Sequence, residues 1–436
     1  MLAQSWARQA SDTATPLILH DVLLLARLLA NLACVHRLAA AVFVDASSTE
    51  PDPDGSYDRP FRRIQDGIAL TALNKTVSIH LRAGQYVVLP NDPLIPKGNC
   101  SIKGIPGSSA VSITCASALN CSILQIDGTS VFRLYEAINS SYIWDLTLEG
   151  VTLERPGVFT LNPTGSFLPP FQRVMSVLLR QGLGRSLHTR YVNVTLRDCV
   201  FANQDVGVNA LTFMFGQLHM EDVVFRNNSA YGPLAYFSNS TVTATNLKVV
   251  QNTRLAASPA WLEALGVLSD GLLMFDAGTN ATLVTIHASD NRSPSALVEA
   301  SSGSALTISN STFEDNTCGP GAFGLSTGQV VKSCGLYLQG STSSVSHCTF
   351  RRNQVLNGVN AAIGLGGAIE WDTPYATSIQ DCLFEDNLAP AGGAIGINSL
   401  LIEGSISRCT FRNNSAFPYE LTARNSIGRG QGGAIA

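Results

Sequence analysis

One five-fold recurrence constrains this chain more than any other feature. Phe-X-X-Asn appears as Phe225/Asn228, Phe313/Asn316, Phe350/Asn353, Phe384/Asn387 and Phe411/Asn414, each time between short Ser/Thr-rich apolar runs. Weaker copies place Phe201, Val249 and Ala288 in the Phe column, with Gln204, Asn252 and Asn291 in the Asn column. The closest anchors lie 24 or 25 residues apart, and insertions lengthen the other intervals. A unit this short cannot bury a core alone, so it must stack on copies of itself. The period fits one coil of an all-β solenoid, with three short strands and three turns.

Stacking brings like residues of successive coils about 4.8 Å apart. Asn228, Asn252, Asn291, Asn316, Asn353, Asn387 and Asn414 then form a ladder of carboxamides that satisfies the turn backbone. That is a structural role, not a ligand site, because buried polar groups must be satisfied in every coil. Phe201, Phe225, Phe313, Phe350, Phe384 and Phe411 stack in the core. Cys199, Cys348, Cys382 and Cys409 stand two places before the anchor, on the same inward face, as small apolar filling. One place after the anchor, Glu314, Arg351, Glu385 and Arg412 alternate in sign, an outward ladder worth roughly 0.2–1 kcal/mol per pair. Gly-Gly-Ala-Ile recurs at 366–369, 392–395 and 432–435, where glycine lets the coils approach closely and the next strand begins.

The N-terminal segment has a different composition. Residues 22–46, "VLLLARLLANLACVHRLAAAVFVDA", are apolar and helix-prone, and small residues precede Ala41. Residues 1–41 therefore read as a signal peptide cleaved after Ala41, or as an uncleaved signal anchor. Residues 42–99 read as an N-terminal cap and first coil, and 100–436 as repeats, with 155–190 an insertion. Ten Cys fit an oxidising compartment, and the local pairings proposed are Cys115 with Cys121 and Cys318 with Cys334. Sequons at Asn74, Asn99, Asn120, Asn139, Asn193, Asn227, Asn239, Asn280, Asn310 and Asn413 are candidate glycosylation sites.

The combination of Phe-X-X-Asn with Gly-Gly-Ala-Ile resembles the repeat of polymorphic outer membrane proteins, the chlamydial surface autotransporters, over residues 196–436. Upstream, "DPDGSYDRPFRRIQDGIA" (52–69) and "TVSIHLRAGQYVV" (76–88) are similar to the opening of pectin-lyase-like domains, with a short capping helix over the first coil. These resemblances imply a right-handed parallel β-helix of roughly a dozen coils and an adhesin-like surface role. The bacterial members carry a C-terminal membrane barrel. This sequence stops at "GRGQGGAIA" with none, so a fragment is expected.

Chemistry is sparse. Only 14% of residues are charged and the net charge is −4, which excludes a basic nucleic-acid binder. The seven His are scattered, and no Asp-Asp pair, Gly-His-Gly, Walker loop or Cys-X-X-Cys occurs. Glu314, Asp315, Glu385 and Asp386 are the only acids stacked in register, and Arg351 and Arg352 intervene. "DPDGSYD" (52–58) lacks the remaining ligands of a calcium loop and reads as a turn. The expectation is a secreted or cell-surface protein, extracellular in either case, with an adhesive or structural role and no catalysis. No cofactor is expected. The alternative is a polysaccharide lyase or glycoside hydrolase. The partner is unknown, with carbohydrate or a cell-surface protein as the candidates. Membrane contact would run only through an N-terminal anchor or a missing C-terminal region.

Overall fold

The computed structural model describes residues 40–71, 76–89, 94, 99–105, 111–115, 122–127, 144–154, 158–162, 192–203, 205–206, 211–214, 216–230, 232–254, 271–301, 303–319, 332–356, 366–373, 375–398, 403–417 and 433–436. Their strands form four parallel sheets of twelve, eleven, nine and eight strands. Each sheet takes one strand from successive coils, so the chain winds as a parallel β-helix.

The coil that opens at Gln217 shows the pattern. Gln217–Glu221 joins the twelve-strand sheet, Val224–Arg226 the eleven-strand sheet, Ser229–Ala230 the eight-strand sheet and Ala235–Ser238 the nine-strand sheet. Thr241–Thr245 then starts the next coil. This corrects the three-strand coil expected from the period. The two residues that follow each ladder Asn pair with the coils above and below before the chain turns. A two-residue strand has no alternation to read in sequence.

Alternation explains the longer strands. In Thr241–Thr245 the outward threonines are exposed while Val242 and Ala244 are buried. Two turns per coil hold non-glycine residues at positive φ, as at Asp222 (54°), Asn227 (53°), Asn310 (51°) and Asp315 (55°). Asn and Asp tolerate this region best, which accounts for their frequency at these corners.

The interior is built of columns. Phe201 stacks on Phe225 at 4.6 Å between ring centres. Phe313, Phe350, Phe384 and Phe411 continue at 5.0, 5.1 and 4.9 Å. Val249 and Ala288 fill the two rungs between these groups. A second aromatic column, Phe213, Phe237 and Phe275, lies in the nine-strand sheet and was not anticipated from the repeat. Buried Cys199, Cys348 and Cys382 share the column that Val223, Leu247 and Ile286 fill in other coils. The glycines of Gly-Gly-Ala-Ile sit where coils touch: a Cβ on Gly367 would come within 2.1 Å of the Gly393 oxygen.

The ladder is continuous. The Asn228 side-chain amide donates to Asn252 Oδ1 at 2.8 Å, and the chain of bonds runs on through Asn291, Asn316, Asn353 and Asn387 to Asn414. Each carboxamide also donates to a backbone oxygen of the preceding coil, as Asn353 does to Phe313 O at 2.9 Å. All but Asn414 are buried.

At the N-terminal end, the short helix Ile64–Ile68 packs Gly67 against Val42 and Ile79 and covers the first coil. The strand Ala40–Val44 pairs with Val77–Leu81. That strand includes Ala40 and Ala41, so cleavage after Ala41 would remove its first two residues. Residues 1–39, which hold the rest of the candidate signal, lie outside the described residues. Among the described residues no helix is long and apolar enough to cross a membrane. Part of the stretch 155–190 is not an insertion: Val158–Asn162 is a strand of the nine-strand sheet.

Candidate functional site

Among the described residues, two of the outward faces that gather ionisable groups lie in the repeat region. The first is the ladder beside the Phe column. Arg352 donates through Nε and a terminal nitrogen to the two Asp315 oxygens, each at 2.6 Å. Arg408 holds Asp381 in the same way at 2.6 and 2.7 Å. Arg351 lies 2.9 Å from Glu385. The hydrogen bond from Arg352 keeps Asp315 below the ordinary carboxylate value, and that from Arg408 does the same for Asp381. Carboxylates paired with guanidinium and facing water are poor proton carriers at neutral pH. Glu314, Asp315 and Glu385 therefore stand in an ion-pair ladder, with Asp386 next to Glu385 along the chain.

The second face is the outside of the nine-strand sheet. Register aligns Tyr236, Met274, Glu299, Tyr337 and Glu370 in one outward column. Asp276 and Asp372 lie in the neighbouring outward column. Lys332 reaches Glu299 at 2.7 Å, with its ammonium 4.1 Å from the centre of the Tyr337 ring. The Tyr337 hydroxyl donates to Asp372 at 3.1 Å, and the Tyr236 hydroxyl to Asp276 at 3.2 Å. Glu299, Lys332, Tyr337 and Glu370 are all buried. Burial first, then the charges of Asp372 and Glu370, raises the Tyr337 pKa, so Tyr337 stays a phenol and a hydrogen-bond donor. The Glu299, Glu370 and Asp372 carboxylates, the Tyr337 phenol and the Lys332 ammonium can bind hydroxyl-rich ligands or move a proton. Among the described residues no group of His, Cys, Asp and Glu is arranged to hold a metal.

Reading the Phe-Asn repeat missed this second cluster. Its signal is an acid alternating with apolar residues in the strand after the turn: "LMFD" (273–276), "LVEA" (297–300) and "AIEWD" (368–372). Insertions of different length separate these strands from the Phe anchors, so the column shows only once the coils are aligned.

Those insertions share one corner. The chain segments 255–272, 319–335, 356–368 and 417–434 all connect the eight-strand sheet to the nine-strand sheet. A disulfide between Cys318 and Cys334, with Cα atoms 5.1 Å apart, closes the base of one of them. The Cys115–Cys121 pairing is not described, since Cys121 lies outside the described residues. Cys100, Cys199, Cys348, Cys382 and Cys409 are free thiols, and burial pushes Cys100 and Cys199 up to about 12. Of the sequons, Asn227, Asn280, Asn310 and Asn413 are exposed, while Asn99, Asn193 and Asn239 are half-buried. Asn74, Asn120 and Asn139 lie outside the described residues.

Residues 184–428 match the family described as right handed beta helix region. The chain belongs to this family. Several proteins of known structure resemble it over most of its length. Open reading frame 18 of Geobacillus virus E2 is 11% identical, with 92% of this chain and 66% of that one covered and a TM-score of 0.39. The A-module of the mannuronan C-5 epimerase of Azotobacter vinelandii is 14% identical, with coverages of 89% and 99% and a TM-score of 0.35. PfbA, a surface adhesin of Streptococcus pneumoniae, is 11% identical, with coverages of 80% and 88% and a TM-score of 0.28. At these identities the likeness concerns the fold alone. No curated protein sequence matches the chain.

Proposed function

We propose that this β-helix is a secreted or cell-surface protein that acts as an adhesive or structural module without catalysis. The observation that carries the reading is the alignment of insertions along one corner of the coil. A rod held by a continuous Asn ladder presents those segments in a row, which suits many weak contacts to one extended partner. The likeness of the repeats to polymorphic outer membrane proteins supports a surface role, and the Cys318–Cys334 disulfide supports an oxidising compartment. Carbohydrate or a cell-surface protein is the partner class. The test is adhesion of the full chain to glycan arrays and to whole cells. Deleting residues 320–331 should weaken retention while leaving the far-ultraviolet spectrum unchanged. Retention that survives loss of the inserted segments would reject the reading.

A polysaccharide lyase or glycoside hydrolase is the second reading, and the buried Glu299–Tyr337–Glu370 column favours it. Its test is product release from acidic and neutral polysaccharides, with Glu370→Gln as the variant that should abolish it. Activity lost in Glu385→Gln and retained in Glu370→Gln would move the site to the ion-pair ladder.

A further inference from the structure

We propose that the outer face of the twelve-strand sheet, from Thr241 to Ser407, binds ice. The strands Thr241–Thr245, Asn280–Val284, Ala305–Ser309, Thr342–Ser346, Thr377–Gln380 and Gly404–Ser407 run parallel with unbroken register. One outward column reads Thr243, Thr282, Thr307, Ser344, Ser378 and Ser405. The column beside it reads Thr245, Val284, Ser309, Ser346, Gln380 and Ser407. All are exposed or half-exposed, and none carries a charge or an aromatic ring.

The neutrality is specific to this face. Outward positions of the other sheets over the same coils hold Lys248, Arg292, Glu299, Arg351, Glu370 and Glu385. Earlier coils of the same sheet hold His80, Lys103, Glu149, Arg197 and Glu221 in the column that continues as Thr245. An acidic polymer would need cations here, and a sugar chain would gain from aromatic rings to stack on. The two columns themselves offer neither; at their edge Arg408 is paired with Asp381 and reaches Gln380.

What it offers is a neutral two-dimensional lattice. Hydroxyls repeat about 4.8 Å apart from coil to coil and about 6.7 Å apart along a strand. Thr243, Thr245, Thr282 and Thr307 are stiff at χ1, so their oxygens and methyls are held with little entropy left to lose, while serine fills six of the other eight places and Val284 and Gln380 the remaining two. Six coils tied by the Asn ladder hold that lattice in register. Its charge complement is a neutral ordered array of oxygens with similar repeats, which is the surface of ice.

The proposal is independent of the adhesive reading, which uses the loop-bearing corner. The test is thermal hysteresis and ice-crystal habit measured on the full chain. The wild-type protein should shape crystals into facets and hold the freezing point below the melting point. Thr282→Tyr combined with Thr307→Tyr, both outward, should abolish this with an unchanged far-ultraviolet spectrum, and Thr243→Lys alone should do the same. Arg351→Ala, on the next sheet, should leave it intact. Rounded crystals and no hysteresis from folded wild-type protein would overturn the proposal, as would activity that ignores the threonine substitutions. Binding to cellulose or chitin powder without ice activity would overturn it in favour of a polysaccharide lattice.

Discussion

The coils before and after the insertion share three sheets and differ in the fourth. Between Ala40 and Asn162 the described strands belong to the twelve-, eleven- and nine-strand sheets, and no Asn ladder runs through them. The eight-strand sheet begins at Asp205–Val206, next to the first rung of the ladder. The difference teaches what the ladder does beyond satisfying polar groups. By tying each corner to the corners above and below, it keeps two further residues extended and paired, so the coil gains a side.

If that account is right, the ladder coils should be the more stable part. Phe350→Ala opens a void in an unbroken aromatic stack and should cost about 3–5 kcal/mol by urea unfolding. Native-state hydrogen exchange should show amides of 192–417 outlasting those of 77–154, and the reverse order would break the comparison. Asn353→Ala removes the partners of the Phe313 oxygen and of the Asn316 amide. The Asn316 amide keeps its bond to Ala288 O, so losing the other buried bonds should cost about 1–3 kcal/mol, and the amides of the two-residue strand Gln354–Val355 should lose protection first. Replacing Cys318 and Cys334 by Ser frees a loop with a sequence separation of 16 and should cost about 3 kcal/mol. A melting temperature unmoved by reducing agent would contradict this.

The smallest effect concerns the charge ladder. Asp315 has a folded pKa depressed below 3.8, so its contribution is present above that value and fades as pH falls through the folded pKa. Water screens an exposed pair, so the loss should stay below about 1 kcal/mol. Melting temperatures followed through this acid range should fall less for Asp315→Asn than for the wild type. A melting curve in which Asp315→Asn and wild type fall equally would remove the pair from the account.

The repeat made the helical stack, the Phe column and the Asn ladder legible because each depends on one residue at a fixed offset within a nearly constant period. The Cys318–Cys334 bridge was legible from local spacing. The buried Lys332–Glu299–Tyr337–Glu370 cluster was not, since insertions of unequal length shift its members against the Phe anchors. The fourth strand was not either, because two residues are too few to show alternation. Acids that stood in register were the visible ones, and Glu385 proved to be paired with Arg351, and Glu314 and Asp315 with Arg352, on the surface.

The Asn ladder has one more consequence. Every rung offers the same donor and acceptor, so at the ladder the top of any coil from Asn228 to Asn414 matches the bottom of any other. A coil is thus a unit of heredity as well as of folding. Tandem duplication or loss of one repeat in the gene would change the rod by a single step of about 4.8 Å. The joint would heal without a compensating mutation. Lineages carrying this protein should differ in length by whole coils, as a measuring stick is cut or extended at its marks.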